Sequence, residues 1–171
     1  FANRDELVEL EPDVIIIATG GLPDLEWLDG HEHCESVWDI LSDKTTIKKN
    51  VLLYDELGDH AGACCTEVLA DAGAAVALTF RGHHAANNTG YMNFPIYLQN
   101  FYEKGVTLIP DRRLEQVIPV TSGYRAVLVN ELTGAIEEQL TDQVVIERGT
   151  VPVAGLYQEL RAESYNNGTT Q

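Results

Sequence analysis

Short apolar runs alternate with glycine-bearing loops and amphipathic stretches along this chain. Asp13-Val14-Ile15-Ile16-Ile17 is a continuous β-branched run, the pattern of a parallel strand buried on both faces. It ends in Ala18-Thr19-Gly20-Gly21, small residues that admit a ligand or another backbone at close range. Pro23 to Gly30 reads as loop, and Ser36 caps a short helix running to Leu41. A polar linker follows over residues 42–50. Val51-Leu52-Leu53-Tyr54 predicts a second strand, residues 61–72 a helix stopped by Gly73, and residues 75–80 a third strand. Strand, glycine-bearing loop, helix and strand within about thirty residues make a βαβ unit.

A loop rich in Gly, His and Asn, residues 81–90, leads to a second helix over 95–104 closed by Gly105, then to a strand over 106–109. Extended runs at 114–120, 124–130 and 136–140 are parted by Thr121-Ser122-Gly123 and Thr133-Gly134, which predicts an antiparallel meander. Gln143-Val144-Val145-Ile146-Glu147 is a last strand. The polar tail, 163–171, is expected to fray.

Two parallel crossovers carrying a meander resemble the NAD(P)-type domain of flavin-disulfide-reductase-like folds. The Asp13–Gly21 segment resembles the strand and Ala-Thr-Gly turn that run beneath the flavin nucleotide in that superfamily. A narrower resemblance rests on Asn50-Val51-Leu52-Leu53-Tyr54-Asp55 with Gly58-Asp59-His60 and Gly62. Asn93-Phe94-Pro95-Ile96-Tyr97-Leu98, Gly105-Val106-Thr107-Leu108 and Asp142-Gln143-Val144-Val145 extend it. These are similar to the trimethylamine dehydrogenase, dimethylamine dehydrogenase and 2,4-dienoyl-CoA reductase family, over residues 10–160. The resemblance implies an α/β fold, a Rossmann-like three-layer parallel sheet with an antiparallel meander, of the FAD/NAD(P)-binding type. It also implies a larger parent, with an old-yellow-enzyme-like barrel holding FMN and a [4Fe–4S] cluster outside this chain. Residues 1–46 and 142–171 would belong to an FAD-type domain and 47–141 to an NAD(P)-type insert. Ala18, Thr19, Gly20, Gly21, Gly149 and Thr150 would face the FAD-type site, which holds only ADP in some members. An electron-transferring flavoprotein would accept electrons in the amine-dehydrogenase branch.

Composition narrows the partners. The net charge of −16 over 171 residues repels phosphate backbones, so no nucleic-acid partner is expected. No run of eighteen apolar residues exists, so no membrane span is expected. The chain opens Phe1-Ala2-Asn3 without an initiator Met, basic region or apolar core of a signal peptide, and reads as an excised piece. Three cysteines, Cys34, Cys64 and Cys65, argue for a reducing, cytoplasmic setting and cannot supply four cluster thiolates. Adjacent Cys64 and Cys65 read as helix packing rather than a redox pair. His31-Glu32-His33-Cys34 and His83-His84 could hold an opportunistic metal, but without a second ligand pair both read as surface loop. Two glycosylation sequons, at Asn87 and Asn167, are discounted without a secretory signal. Trp27, Trp38, Tyr97, Phe101 and Tyr102 read as core or domain-interface residues.

The candidate phosphate loop is the sharpest feature. Dinucleotide folds use Gly-x-Gly-x-x-Gly so that backbone can touch pyrophosphate and helix can pack on strand. Counting back from Gly62, the other two glycine positions fall on Asp59 and Leu57, with Gly58 out of step. Asp55, Glu56 and Asp59 place carboxylates at the helix start where pyrophosphate would sit. Two charges 4 Å apart repel by about 1 kcal/mol in water and several-fold more when desolvated. The ribose-binding acid expected about twenty residues on is replaced by Phe80-Arg81. Arg81 could accept a 2′-phosphate, or be a solvated arginine. Three readings stand. The first is a module of a flavin/iron–sulfur oxidoreductase with a degenerate NAD(P) site at Gly58, Asp59, His60 and Gly62. The second is a working NAD(P)H module feeding hydride to flavin. The third is a non-enzymatic acidic interaction domain. No nucleophile–base pair or paired-carboxylate motif stands out, so no catalytic residue is expected in the chain itself.

Overall fold

The computed structural model describes residues 3–162. The first half of the chain carries α1 (Arg4–Glu9), β1 (Gly21–Pro23), a 3-10 turn (His31–His33), β2 (Glu35–Ser36), α2 (Val37–Leu41), β3 (Asn50–Asp55), α3 (His60–Asp71) and β4 (Ala75–Thr79). The second half carries α4 (Phe94–Glu103), β5 (Thr107–Ile109), β6 (Arg112–Pro119), β7 (Tyr124–Asn130), β8 (Ile136–Thr141), β9 (Gln143–Glu147), β10 (Thr150–Pro152) and α5 (Gly155–Arg161). These fall into two compact units, Pro23–Gly149 and the flanking Phe1–Leu22 with Thr150–Gln171.

In the larger unit a five-stranded sheet runs in the order β2-β9-β3-β4-β5, every neighbour parallel. Side chains alternate across a strand, so β3 buries both faces. Val51 and Leu53 join Val37 and Ile40 of α2, Ala63, Cys65 and Leu69 of α3 and Phe101 of α4 in one core. Leu52 and Tyr54 join Leu114 and Val117 of β6 and Ala126 and Leu128 of β7 in the other. The meander β6-β7-β8 is antiparallel, with a register shift between Leu114 and Gln116. Helices, parallel sheet and meander are thus the three layers expected. The late strand β9 lies in the middle of the sheet, between β2 and β3, and is buried along its whole length.

Local signals explain the helix ends. Ser36 and Asp39 form a reciprocal capping box on α2. Asp59 caps α3, and Gly73 follows it in the left-handed conformation, φ +86°. Pro95 sits in the first turn of α4, where its missing N–H leaves nothing unsatisfied.

One expectation is corrected. Residues 13–17 form no strand, and Val14 and Ile16 are 75% and 87% exposed. A strand buried on both faces needs neighbours on either side, and no described residue pairs with this run. Of the aromatic residues expected in the core or at a domain interface, Phe101 is fully buried and Trp27 packs against the meander-side core, whereas Trp38 and Tyr102 are exposed. The tail and the sequon at Asn167 lie outside the described residues.

In the smaller unit Asn3 and Glu6 form a capping box on α1, with both bonds at 3.0 Å. Helix α1 packs against α5, and β1 pairs with β10. No helix among the described residues is long and apolar enough to cross a membrane.

Leu53 is 0% exposed at the centre of β3, so Leu53→Ala removes packing that little else can refill. The expected cost is roughly 2–5 kcal/mol, read as a lower urea midpoint with an unchanged slope.

Candidate functional site

Ligands of open α/β sheets bind beyond the carboxyl ends of the strands, which here means the turn after β3. Its last residue, Asp55, is 3% exposed. Asp55 Oδ1 accepts hydrogen bonds from the amides of Gly58 at 2.7 Å and Leu57 at 3.1 Å. Gly58 adopts φ +63°, a left-handed turn that L side chains rarely tolerate. The second oxygen rests against α3, where a Cβ on Gly62 would lie 2.4 Å from it. The third glycine of the dinucleotide pattern therefore makes room for a carboxylate of this same chain.

The other two acids of the loop point elsewhere. Asp59 turns onto its own helix and accepts from Ala61 N at 2.9 Å. Glu56 accepts from the Tyr54 hydroxyl at 2.9 Å, and pairs with Arg148 at 3.2 Å and Arg81 at 3.3 Å. The three carboxylates expected to crowd one seat are thus sorted, and only Asp55 fills it. Arg81 also pairs with Glu131 at 3.2 Å. The guanidinium that could meet a 2′-phosphate is held between two carboxylates. Arg148 pairs with Asp24 at 3.0 Å and lies 4.5 Å over the Trp27 ring, a cation–π contact.

Burial dominates the electrostatics. It pushes the Asp55 carboxyl up to about 7; the Gly58 amide opposes this, while Asp59 and Glu147 add to it. Glu147 stands beside Asp55 in the β3–β9 register. Its own carboxyl is raised, chiefly by burial, although the Gly149 amide donates to it at 2.7 Å. Burial and Glu56 both raise the Tyr54 phenol.

The remaining expected site residues are placed as follows. His60 opens α3 with its ring Nδ1 3.0 Å from the Tyr97 hydroxyl, which also contacts Cys64 Sγ at 3.2 Å. Cys65 is in the helix-side core, and burial pushes its thiol up to about 12. Gly149 takes φ +81° and its carbonyl accepts from Asp24 N at 3.0 Å. In the smaller unit Thr19 donates to the Val153 carbonyl and Val153 N donates to Gly20 O at 3.0 Å. A Cβ on Gly21 would stand 2.8 Å from the Val151 carbonyl. Close strand pairing thus accounts for that glycine. Ala18, Thr19, Gly20 and Thr150 are exposed. Cys34 bonds the Gly30 carbonyl at 3.6 Å, and His83 pairs with Asp111 at 2.5 Å.

Sequence reasoning did not connect Tyr54, Trp27, Asp24 or Glu131 to the loop. Tyr54 reaches Glu56 from two residues away, a local contact, whereas Trp27, Asp24 and Glu131 reach the loop's partners only through tertiary packing.

The fold and this turn define a nucleotide-binding-type α/β module of the kind found in flavoprotein oxidoreductases; solved NADH and NADPH oxidases share the fold. No family model matches the chain. It is 37% identical over 98% of its length to N,N-dimethylglycine/sarcosine dehydrogenase of Chromohalobacter salexigens, of which that match covers 25%. It is 35% identical over 99% of its length to the multifunctional alkene reductase/demethylase OYE of Caballeronia cordobensis, covering 26% of that protein. The structure of 6-hydroxypseudooxynicotine amine oxidase from Pseudomonas geniculata superposes with a TM-score of 0.82 at 22% identity, over 96% of this chain and 26% of that one. The chain belongs to the trimethylamine-dehydrogenase, old-yellow-enzyme-like family. It spans about a quarter of the length of the curated relatives it matches.

Because the folded chain holds the Asp55 proton more tightly than the unfolded chain, with its ordinary value of 3.8, this group favours the fold most at low pH. Its contribution should decline as pH rises from about 4 through about 7. Urea titrations across that window should show Asp55→Asn losing this part of the wild-type slope.

Proposed function

We propose that the chain is the nucleotide-binding-fold module of a larger flavin-dependent oxidoreductase, of amine-dehydrogenase or enoate-reductase type. In that parent it completes an FAD or ADP site and braces the electron-transfer half, without docking NAD(P)H. The observation that carries this reading is the Asp55 carboxylate, which holds the Leu57 and Gly58 amides and lies against Gly62. A pyrophosphate would have to take the same amides and the same space. The residues present do not fit that group, and Arg81, already paired to Glu56 and Glu131, offers no free cation for a 2′-phosphate.

The dehydrogenase and demethylase names of the relatives support the oxidoreductase class, and their length supports a parent several times larger. The exposed apolar run at 13–17 supports an FAD-type domain that takes in the start of the chain; of the expected division, 1–46 and 142–171 against 47–141, the bounds would move outward, because β2 and β9 share the sheet of β3 within the compact unit Pro23–Gly149. Such a run is what a strand would show without its neighbours. Ala18 to Gly21, Gly149 and Thr150 would line the FAD-type side. FMN and a [4Fe–4S] cluster would lie in the remainder of the parent, and an electron-transferring flavoprotein would take its electrons. Three free cysteines suit a cytoplasmic setting.

Thermal melting of the 171-residue chain with NADH, NADPH and ADP tests this reading. A ligand present at a hundred times its Kd would stabilise the fold by about 2.7 kcal/mol, several degrees for a domain of this size. No shift is expected with NADH or NADPH and at most a small one with ADP. A shift of several degrees with NADPH would establish the working hydride-donor module instead. Upstream coding sequence lacking a barrel and a four-cysteine run would remove the family's architecture from the reading.

A further inference from the structure

We propose that the outward face of the β6-β7-β8 meander docks a segment of the parent chain outside these 171 residues, one that presents apolar side chains around a carboxylate. The inference rests on the reading of the chain as a module of a larger parent, and it names a place where the remainder is held.

Cross-strand partners share a face of a sheet, and successive residues alternate between faces. Leu114, Val117, Ala126 and Leu128 are buried in the meander-side core, which fixes the inward face. The register then places Val127 at the centre of the opposite face, with Ile118, Val129, Ile136 and Leu140 around it. Ile136 and Leu140 are each 71% exposed, and the other three are half-buried. An antiparallel sheet with one face on a core normally turns polar residues to solvent on the other. This one turns out a largely apolar face.

Arg125 is the second observation. It stands between Ile118 and Leu140 in the register. Its Nη1 reaches Glu138 only at 3.4 Å, and its Nε is buried with no partner among the described residues. Buried donors in folded proteins are nearly always paired, so this face lacks an acceptor. Arg113, on the same face, already donates to Glu131 at 3.0 Å. A carboxylate brought opposite Arg125 would supply a charge-assisted bond where one is missing.

Size, charge and length select the occupant. Three strands about 4.8 Å apart, over residues 113–118 at about 3.4 Å each, make a face of roughly 300 Å². A stable complex between separate chains buries about 800 Å² per partner. A second copy would also bring together two chains of net charge −16. This chain spans about a quarter of its curated relatives, which leaves three quarters of a parent to supply a tethered segment. Tethering makes the docking intramolecular, so a small face suffices.

Peptide-resolved maleimide labelling of the full-length parent tests the proposal. Leu140→Cys and Ile136→Cys report on the face, and either one suffices if the other fails to fold. Leu132→Cys, at a position 69% exposed between β7 and β8, is the open reference. The face reporters should label at least tenfold more slowly than the reference in the native parent, and at its rate in denaturing urea. Arg125→Met should speed labelling of Leu140→Cys, whereas Arg113→Met should leave it unchanged. Face reporters that label at the reference rate in a folded parent would overturn the proposal. Protection that fades on dilution would assign the face to a second copy, and protection indifferent to Arg125→Met would remove the carboxylate; either result sinks the occupant named here. A gene with no further domains would defeat the reading of a larger parent itself, whereas a full-length parent with freely labelled Leu140→Cys would defeat only the present inference.

Discussion

Burial of β3 on both faces is the constraint on which the larger unit depends. Leu52, Leu53 and Tyr54 are each 0% exposed, and alternate residues serve the helix-side and meander-side cores. A strand so placed cannot slip, because a shift of one residue would exchange the two faces. Whatever stands at its carboxyl end is therefore delivered to a fixed point, and here that residue is a carboxylate. The position of Asp55 follows from hydrophobic packing some three residues earlier in the strand.

That delivery has an electrostatic consequence. Asp55 and Glu147 end adjacent parallel strands and are 3% and 5% exposed, so burial and mutual repulsion disfavour two charges there. The turn answers with backbone amides, two from Leu57 and Gly58 to Asp55 and one from Gly149 to Glu147. Immediately outside, Glu56 is handled in another way, by Arg81, Arg148 and the Tyr54 hydroxyl. Amides hold the inner acids and guanidinium groups the outer one. A chain carrying a net charge of −16 thus places two of its eleven Lys and Arg residues at a single acidic turn.

The elements were legible where periodicity and end signals agreed. The strand at 51–54, the helix before Gly73, the three runs of the meander and the Ser36 cap all rest on local residues, and the structure places each within a residue or two. The run at 13–17 was misread because β-branched composition reports what a strand can bury, not whether partners are present to bury it. At the loop, the count from Gly62 exposed the loss of the glycine pattern, and the acids were visible in the sequence. Their division of labour was not. Asp55, Glu56 and Asp59 look alike in one dimension, and only the strand end, the ion-pair partners and the helix start assign them different tasks. Arg81 shows the same limit, since its partners Glu56 and Glu131 lie 25 and 50 residues away in sequence.

The turn after β3 is closed by its own side chain. An empty nest at this depth would leave two amides facing no acceptor, and a buried unsatisfied donor costs about 1–3 kcal/mol. Asp55 meets both donors with one oxygen and occupies the space beside Gly62 with the other, so the turn closes on itself. The cost on the other side is a carboxyl that burial pushes up to about 7. Glycine at 62 remains necessary under this arrangement, for the contact it makes is with the chain's own acid. The close approach of the Asp55 carboxyl to α3 is by itself enough to require a glycine at position 62.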